Sequence, residues 1–412
     1  MRMTDVLVVL AGSTLAAAAL ADNPADDRAY AAELKADAAA KSSALADNDA
    51  FVESDSSVKL GGWMQFRYYM NFREDTPATG LPHQSGFTNG FEATKTRLIS
   101  TGNVMSKDLT FKIEGEFSKN NGNFSLLDAY VNYAYENGWS TRIGQFKLPL
   151  LRQELVSDTN QLMVGRSLTN DIFSQKRSQG MMGAWRNDSV QVRGALSDGL
   201  NTLNTPYTSP KEADIAVTGR LDYKSGADWK VFDDFNSWQG NETAWLFGVA
   251  ANWQSMGNTN ASATVPQQNQ FEYTADFTLQ GSGWNVFAMF VGNHISPDSG
   301  GGDDTNNFGA QIQGGFFVHK NVEIYGSWDA VFPDSSYGAG LDSNFNTLSA
   351  GANFFPFEKS EAVRFVAQFS WFVNNPSENG LVNSAASNNN VGLLPNNADN
   401  QFAIIFQAQV VF

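Results

Sequence analysis

The chain has 412 residues, of which 42% are hydrophobic and 17% charged, with a formal charge of −16 and no cysteine. That much apolar material excludes global disorder, and the low charged fraction departs from ordinary soluble domains. The missing cysteines exclude disulfide frameworks, thiolate metal sites and cysteine nucleophiles, and the acidic balance opposes a nucleic-acid partner.

The N-terminus opens with Met1-Arg2-Met3, an apolar run from Val6 to Leu20 and Ala19-Leu20-Ala21 before Asp22. This reads as a signal peptide over 1–21 with a small-residue cleavage site, although Asp5 stands where basic residues are usual. A buried N-terminal helix is the competing reading. Beyond position 21 no apolar stretch approaches the length of a membrane-spanning helix, so any span must be made of strands. Residues 22–56 are rich in Ala, Asp and Lys. Two readings stand for them: a short periplasmic helix or oligomerising coil, and a solvated linker.

From Val58 the texture becomes period two, with Leu60, Met64, Phe66, Tyr68 and Met70 on one parity and Lys59, Gln65, Arg67 and Tyr69 on the other. Similar alternation recurs at 109–118, 215–224, 271–280, 308–318, 322–330, 363–373 and 402–412. Hairpin-type residues stand at Ser106-Lys107-Asp108, Glu136-Asn137-Gly138, Asn187-Asp188, Gly281-Ser282-Gly283, His319-Lys320-Asn321 and Pro356 to Ser360. Longer polar stretches alternate strictly with these turns, except that the short connection near 225–243 is stretched by an insert from Trp229 to Trp238.

The count is about 16 strands, with short turns at one rim and long loops at the other. The fold class is therefore all-β: a 16-stranded antiparallel transmembrane β-barrel over 57–412, preceded by a short helical or disordered segment. A soluble sandwich or jelly roll also alternates, but does not require loops of alternating length. The barrel reading implies a bacterial outer membrane, a lipid-contacting exterior, and periplasmic N- and C-termini. It predicts Phe66, Phe111, Phe277 and Phe369 toward lipid and Gln65, Lys112, Asp276 and Gln368 toward water. Phe402, Ile404, Phe406, Ala408, Val410 and the terminal Phe412 share one parity. Such a last strand is what the barrel assembly machinery reads in this class, through Phe412.

At Phe91 to Leu98, Leu126 to Tyr133 and Gly144-Gln145-Phe146-Lys147-Leu148-Pro149 the sequence resembles the phosphate-selective porin O and P family. The resemblance runs over Val58 to Phe412. It implies a homotrimer of 16-stranded porins, a third loop, here about 150–177, folded into the lumen, and lumenal Arg and Lys residues that attract the anion. Within GQFKLP the facing of Arg142, Phe146 and Lys147 stays open, because a bulge at Gly144 can reverse it.

The polar parity gives Lys59, Arg67, Arg73, Lys95, Arg97, Lys112, Arg193, Arg220, Lys224 and Arg364 against Glu114, Glu116, Asp128, Asp222, Glu272, Asp276, Glu323 and Asp329, ten bases to eight acids. The third loop adds Arg152, Arg166, Lys176 and Arg177 against Glu154, Asp158 and Asp171. Candidate pore-lining, anion-contacting residues are Arg67, Lys95, Arg97, Lys112, Arg152, Arg166, Arg193 and Arg220. Arg67, Lys95 and Arg97 form a basic strip on one reading; on the other, each is paired with Glu114 or Asp128.

Asp298 to Asp304 offers oxygen ligands but lacks a full calcium loop, and the three histidines are too scattered for a metal site. Glu114 and Glu116 share a face as a hydrolase pair does, but no G-x-S-x-G elbow is present. The expectation is a porin, not an enzyme, passing small hydrophilic solutes or ions without a cofactor. The alternatives are a phosphate- or anion-selective channel, a structural or adhesive outer-membrane protein, and an outer-membrane hydrolase.

Overall fold

Alternating aromatic or β-branched and polar residues favour extended backbone, and strands in lipid must satisfy every backbone N–H and C=O through neighbours. In a computed structural model, residues 56–74, 86–256, 268–297, 302–338, 340–386 and 388–412 are described. The signal peptide, the segment 22–56 apart from Ser56, and part of 298–304 lie outside the described residues.

The first eight strands are β1 (Ser57–Phe72), β2 (Phe87–Asn103), β3 (Leu109–Phe117), β4 (Phe124–Ala134), β5 (Trp139–Lys147), β6 (Arg177–Arg186), β7 (Val190–Ser197) and β8 (Ala213–Ser225). The second eight are β9 (Ala244–Met256), β10 (Gln268–Gly281), β11 (Trp284–Pro297), β12 (Thr305–His319), β13 (Val322–Phe332), β14 (Phe345–Phe354), β15 (Val363–Phe372) and β16 (Gln401–Val411). Each pairs antiparallel with its neighbours in sequence, and β1 closes on β16 from Trp63↔Val411 to Phe72↔Phe402. Closure leaves no edge to solvate in lipid. Phe412 extends the seam: its N–H donates to the Gly62 carbonyl at 2.9 Å, and its carbonyl accepts from the Gly62 N–H at 2.8 Å.

The predicted outward parity is present, with Phe66, Phe277 and Phe369 exposed on the exterior and Phe111 half-buried. The opposite parity needs correction. Gln65, Asp276 and Gln368 face the lumen but are 1–2% exposed, because inserted segments cover them. Strict alternation of connection length also fails at 118–123, which is short although it lies at the long-loop rim.

Three segments fill the lumen. The third loop spans 148–176 and contains short helices at Arg152–Leu155 and Leu168–Phe173; Arg177, expected within this loop, is instead the first residue of β6. Ser167 caps the second helix by accepting from the Asn170 N–H. The eighth loop, 373–400, carries the helix Gly380–Ala385, capped by Asn379. The insert 226–243 enters from the opposite rim.

Leu151, Leu162, Val164, Leu168 and Phe173 of the third loop, Val382, Val391 and Leu393 of the eighth, and Phe235 of the insert share one apolar core with Phe287, Val291, Tyr325, Val366, Phe372 and Ile405 on the barrel wall. Each such side chain contributes about 1.5–3 kcal/mol when buried, enough to hold these segments inside without covalent ties.

This arrangement changes what labelling should show. Single cysteines at Gln65, Asp276 or Gln368 are expected to react slowly with a water-soluble thiol reagent, a cysteine at Lys112 quickly, and cysteines at Phe66 or Phe277 only in detergent. Fast reaction at the first three positions would contradict a filled lumen.

Candidate functional site

The third loop is held by charge. Asp158 opens a short turn capped by Ser157 and is 2% exposed. Its carboxylate accepts from Arg166 Nη1 at 2.5 Å, lies 3.0 Å from Arg97 Nη1, and also meets Lys95. Burial pushes this carboxyl up, but Arg166, Lys95 and Arg97 together hold it well below the usual carboxylate range. Glu154 adds a second contact, 3.1 Å from Arg166 Nε.

The wall bases are compensated. Arg97 lies 2.9 Å from Glu114 and 2.5 Å from Glu116, with its guanidinium over Trp63. Lys112 bridges Glu114 at 2.6 Å and Asp128 at 2.7 Å, and Arg177 reaches Asp128 at 2.6 Å. Arg193 pairs with Asp222 at 2.6 Å, while Arg220, fully buried, reaches Asp222 at 2.7 Å and Asp276 at 2.8 Å. Gly248 makes room for this clamp, since a Cβ there would lie 2.1 Å from Arg220 Nη2. Glu114 and Glu116 converge on Arg97, which leaves neither as a free acid of a hydrolase pair.

Arg67 is set apart. It is fully buried, donating to Gln407 Oε1 at 2.7 Å, the Tyr69 hydroxyl at 3.0 Å, the Asn390 carbonyl at 3.0 Å and the Val164 carbonyl. Arg67, Lys95 and Arg97 therefore do not make one exposed strip. Arg67 ties the third and eighth loops to β1, Lys95 and Arg97 hold Asp158, and of these three Arg97 alone shows the expected pairing, with Glu114.

A chamber of about 620 Å³ lies against the wall of the first strands. Its lining carries Arg97, Lys112, Arg142, Lys147, Arg152, Arg177, Arg186 and Arg193 against Glu114, Asp128, Asp158 and Asp233, eight bases to four acids. The near balance expected for the whole lumen thus does not hold locally. Among the described residues no carboxylate lies within 4 Å of Arg142, Arg152 or Arg186, and the buried Nε of Arg142, Arg152 and Arg193 has no acceptor. Arg142 lies flat over Tyr130, 4.1 Å from the ring centre. Arg152 donates to the Phe232 carbonyl, and Arg166 is enclosed with Glu154 and Asp158.

The open question in GQFKLP is resolved at Gly144. Its φ of +130° is a conformation side chains avoid, and a Cβ would lie 2.2 Å from the Ala129 carbonyl. Ile143 faces outward, while Arg142, Phe146 and Lys147 line the chamber. Arg142 could have been found from its register opposite Asn132 on the polar parity. Phe232 and Asp233 of the insert had no such signal.

A family model for phosphate-selective porin O and P matches residues 66–391. Among solved structures, OmpT of Vibrio cholerae is similar at 11% identity and a TM-score of 0.56, covering 88% of this chain and 100% of that one. The outer-membrane channel DcaP of Acinetobacter baumannii has 12% identity and a TM-score of 0.57, covering 88% and 99%. Salmonella typhi OmpF, in a complex with daunomycin, has 12% identity and a TM-score of 0.56, covering 87% and 99%. No curated protein matches significantly. These identities speak for the fold alone, but the family match spans most of the sequence and agrees with the closed 16-strand barrel. The chain belongs to the phosphate-selective porin O and P family and is an outer-membrane channel for passive diffusion.

Proposed function

We propose that this channel passes small hydrophilic solutes with a preference for anions, along the chamber beside β1 to β7. The observation that carries this reading is the chamber's eight bases against four acids, with no carboxylate within 4 Å of Arg142 or Arg186 among the described residues. Unpaired guanidinium groups in a confined space attract anions, and weak contacts at several sites allow release. Of the sequence candidates, Arg97, Lys112, Arg152 and Arg193 act at the chamber surface; Arg67, Lys95, Arg166 and Arg220 act by holding its walls. The protein works as a homotrimer, as the family resemblance implies, with lipid against its apolar exterior. Its termini lie in the periplasm, where the assembly machinery reads the strand ending at Phe412. No catalytic step is needed.

The test is the reversal potential of the purified protein in a salt gradient. At an effective dielectric of about 20, one charge about 8 Å away contributes about 2 kcal/mol before screening, which salt roughly halves. Wild type is expected on the anion side. Arg142→Gln with Arg186→Gln is expected to lower the anion-to-cation permeability ratio about fivefold while current steps persist. A cation-side wild type, or a ratio unmoved by the double change, overturns the anion reading and leaves a pore sieved by size.

A further inference from the structure

The connection between β8 and β9 behaves unlike the tight turns beside it. Trp229 Nε1 donates to the Asn187 carbonyl at 2.7 Å, in the turn between β6 and β7. Seven residues on, Asn236 Nδ2 donates to Glu361 Oε1 at 2.7 Å, in the turn between β14 and β15. In a ring of 16 strands those two turns are eight strands apart, on opposite sides of the mouth. The segment then returns along the rim: Ser237 Oγ donates to the Gly281 carbonyl at 2.6 Å, and Trp238 packs against Phe317 and Phe355.

Midway across, the crossing segment meets the third loop, which descends from the other rim. The Phe235 N–H donates to the Asn160 carbonyl at 3.1 Å, Asn160 Nδ2 donates to the Asp233 carbonyl at 3.0 Å, and Arg152 reaches the Phe232 carbonyl. Phe232 and Phe235 are buried, the latter 4.8 Å from the ring of Phe287 on β11.

We propose that residues 226–243 form a gating strap that, docked, narrows the mouth of the chamber, which it lines with Trp229, Phe232 and Asp233, and that, released, widens that mouth. The proposal rests on the channel reading above. Its distinguishing feature is the seat. Asn236 Nδ2 donates both to Asp234 Oδ1 on the strap at 3.0 Å and to Glu361 in the turn before β15; Arg364 Nη1 is 3.9 Å from Glu361 Oε2, an oxygen with no hydrogen bond among the described residues, and Glu323 on β13 and Asp233 add further negative charge within electrostatic reach. Carboxyl groups within electrostatic reach of one another are held together most firmly when some are neutral.

Burial pushes Asp234 up to about 6 and Glu361 well above its ordinary range, with Asn236 and Arg364 opposing both shifts. For acids whose docked value is raised, docking is favoured in full below their ordinary value and weakens as pH rises through the docked one. The strap is therefore held at pH 4 and loosened by pH 7.5.

The experiment is single-channel recording of the full-length protein in planar bilayers at both pH values. Wild type is expected to show larger or more frequent open steps at pH 7.5. Replacing 226–244 by Asn-Gly, which fits because Ser225 and Trp245 already face each other across the hairpin, is expected to raise step conductance about twofold or more and abolish the pH dependence. A second variant covers misfolding of the first. Asn236→Cys with Glu361→Cys, in a chain with no other cysteine, is joined by a short bis-methanethiosulfonate, which is expected to clamp wild-type-sized barrels at the pH 4 level until dithiothreitol is added. Wild-type steps left unchanged by both variants overturn the strap alone. A wild type without steps overturns the channel reading and the strap with it.

Discussion

Asp158→Asn is expected to loosen the third loop more than any other single change. The substitution keeps the side-chain volume and removes the one charge that Lys95, Arg97 and Arg166 share. Arg97 keeps Glu114 and Glu116 and Arg166 keeps Glu154, but among the described residues Lys95 is left with no carboxylate within 4 Å, beside two other cations at a position that is 2% exposed. Breaking a buried pair by removing one partner costs about 3–5 kcal/mol, because the remaining charge is uncompensated. The loop can relieve this by swinging its tip from the wall of β2. The variant should unfold at a lower temperature, show larger and noisier current steps, and move its reversal potential toward anions. Since Asp158 is held below the ordinary carboxylate range, wild type keeps this anchor at neutral pH and loses it only as pH falls through that lowered value. Unchanged conductance and thermal midpoint in the variant would show that the apolar contacts of Leu162, Val164 and Leu168 hold the loop alone.

The second large effect concerns Arg67, and it separates a structural from an electrostatic role. A residue of a conducting basic strip would shift ion selectivity when neutralised. Arg67 instead spends its donors on Gln407, Tyr69 and the carbonyls of Asn390 and Val164, with no exposed surface. Hydrogen bonds from a charged group contribute about 1.5–3 kcal/mol each, and glutamine can replace at most one or two of these four. Arg67→Gln should therefore lower thermal stability and expose the eighth loop to protease, with the reversal potential close to wild type. A clear shift toward cations with stability unchanged would return Arg67 to the conduction path.

Much of the architecture was legible because a strand in lipid has a strict grammar. Alternation at Leu60 to Met70 and at Phe402 to Phe412, turn residues at fixed intervals and an even strand number follow from backbone hydrogen bonding and one lipid-facing side, both local in sequence. The family resemblance at GQFKLP likewise sat in contiguous residues. The pairing of Arg97 with Glu114 could be anticipated as one of two readings, since neighbouring strands bring them side by side.

What lay beyond the sequence was the inside of the barrel. Parity places Gln65 and Asp276 toward the lumen but says nothing of whether water reaches them; that depends on loops from distant parts of the chain folding back over them. Lys95 finds Asp158, Arg67 finds Asn390, and Phe235 finds Phe287, each across a separation no periodicity encodes. The sequence by itself determined the closed barrel and its outward face, because each is imposed residue by residue by lipid and hydrogen-bond satisfaction. Only the tertiary structure decided which bases remain free in the chamber, because compensation of charge and exclusion of water are properties of three-dimensional packing among segments from opposite rims.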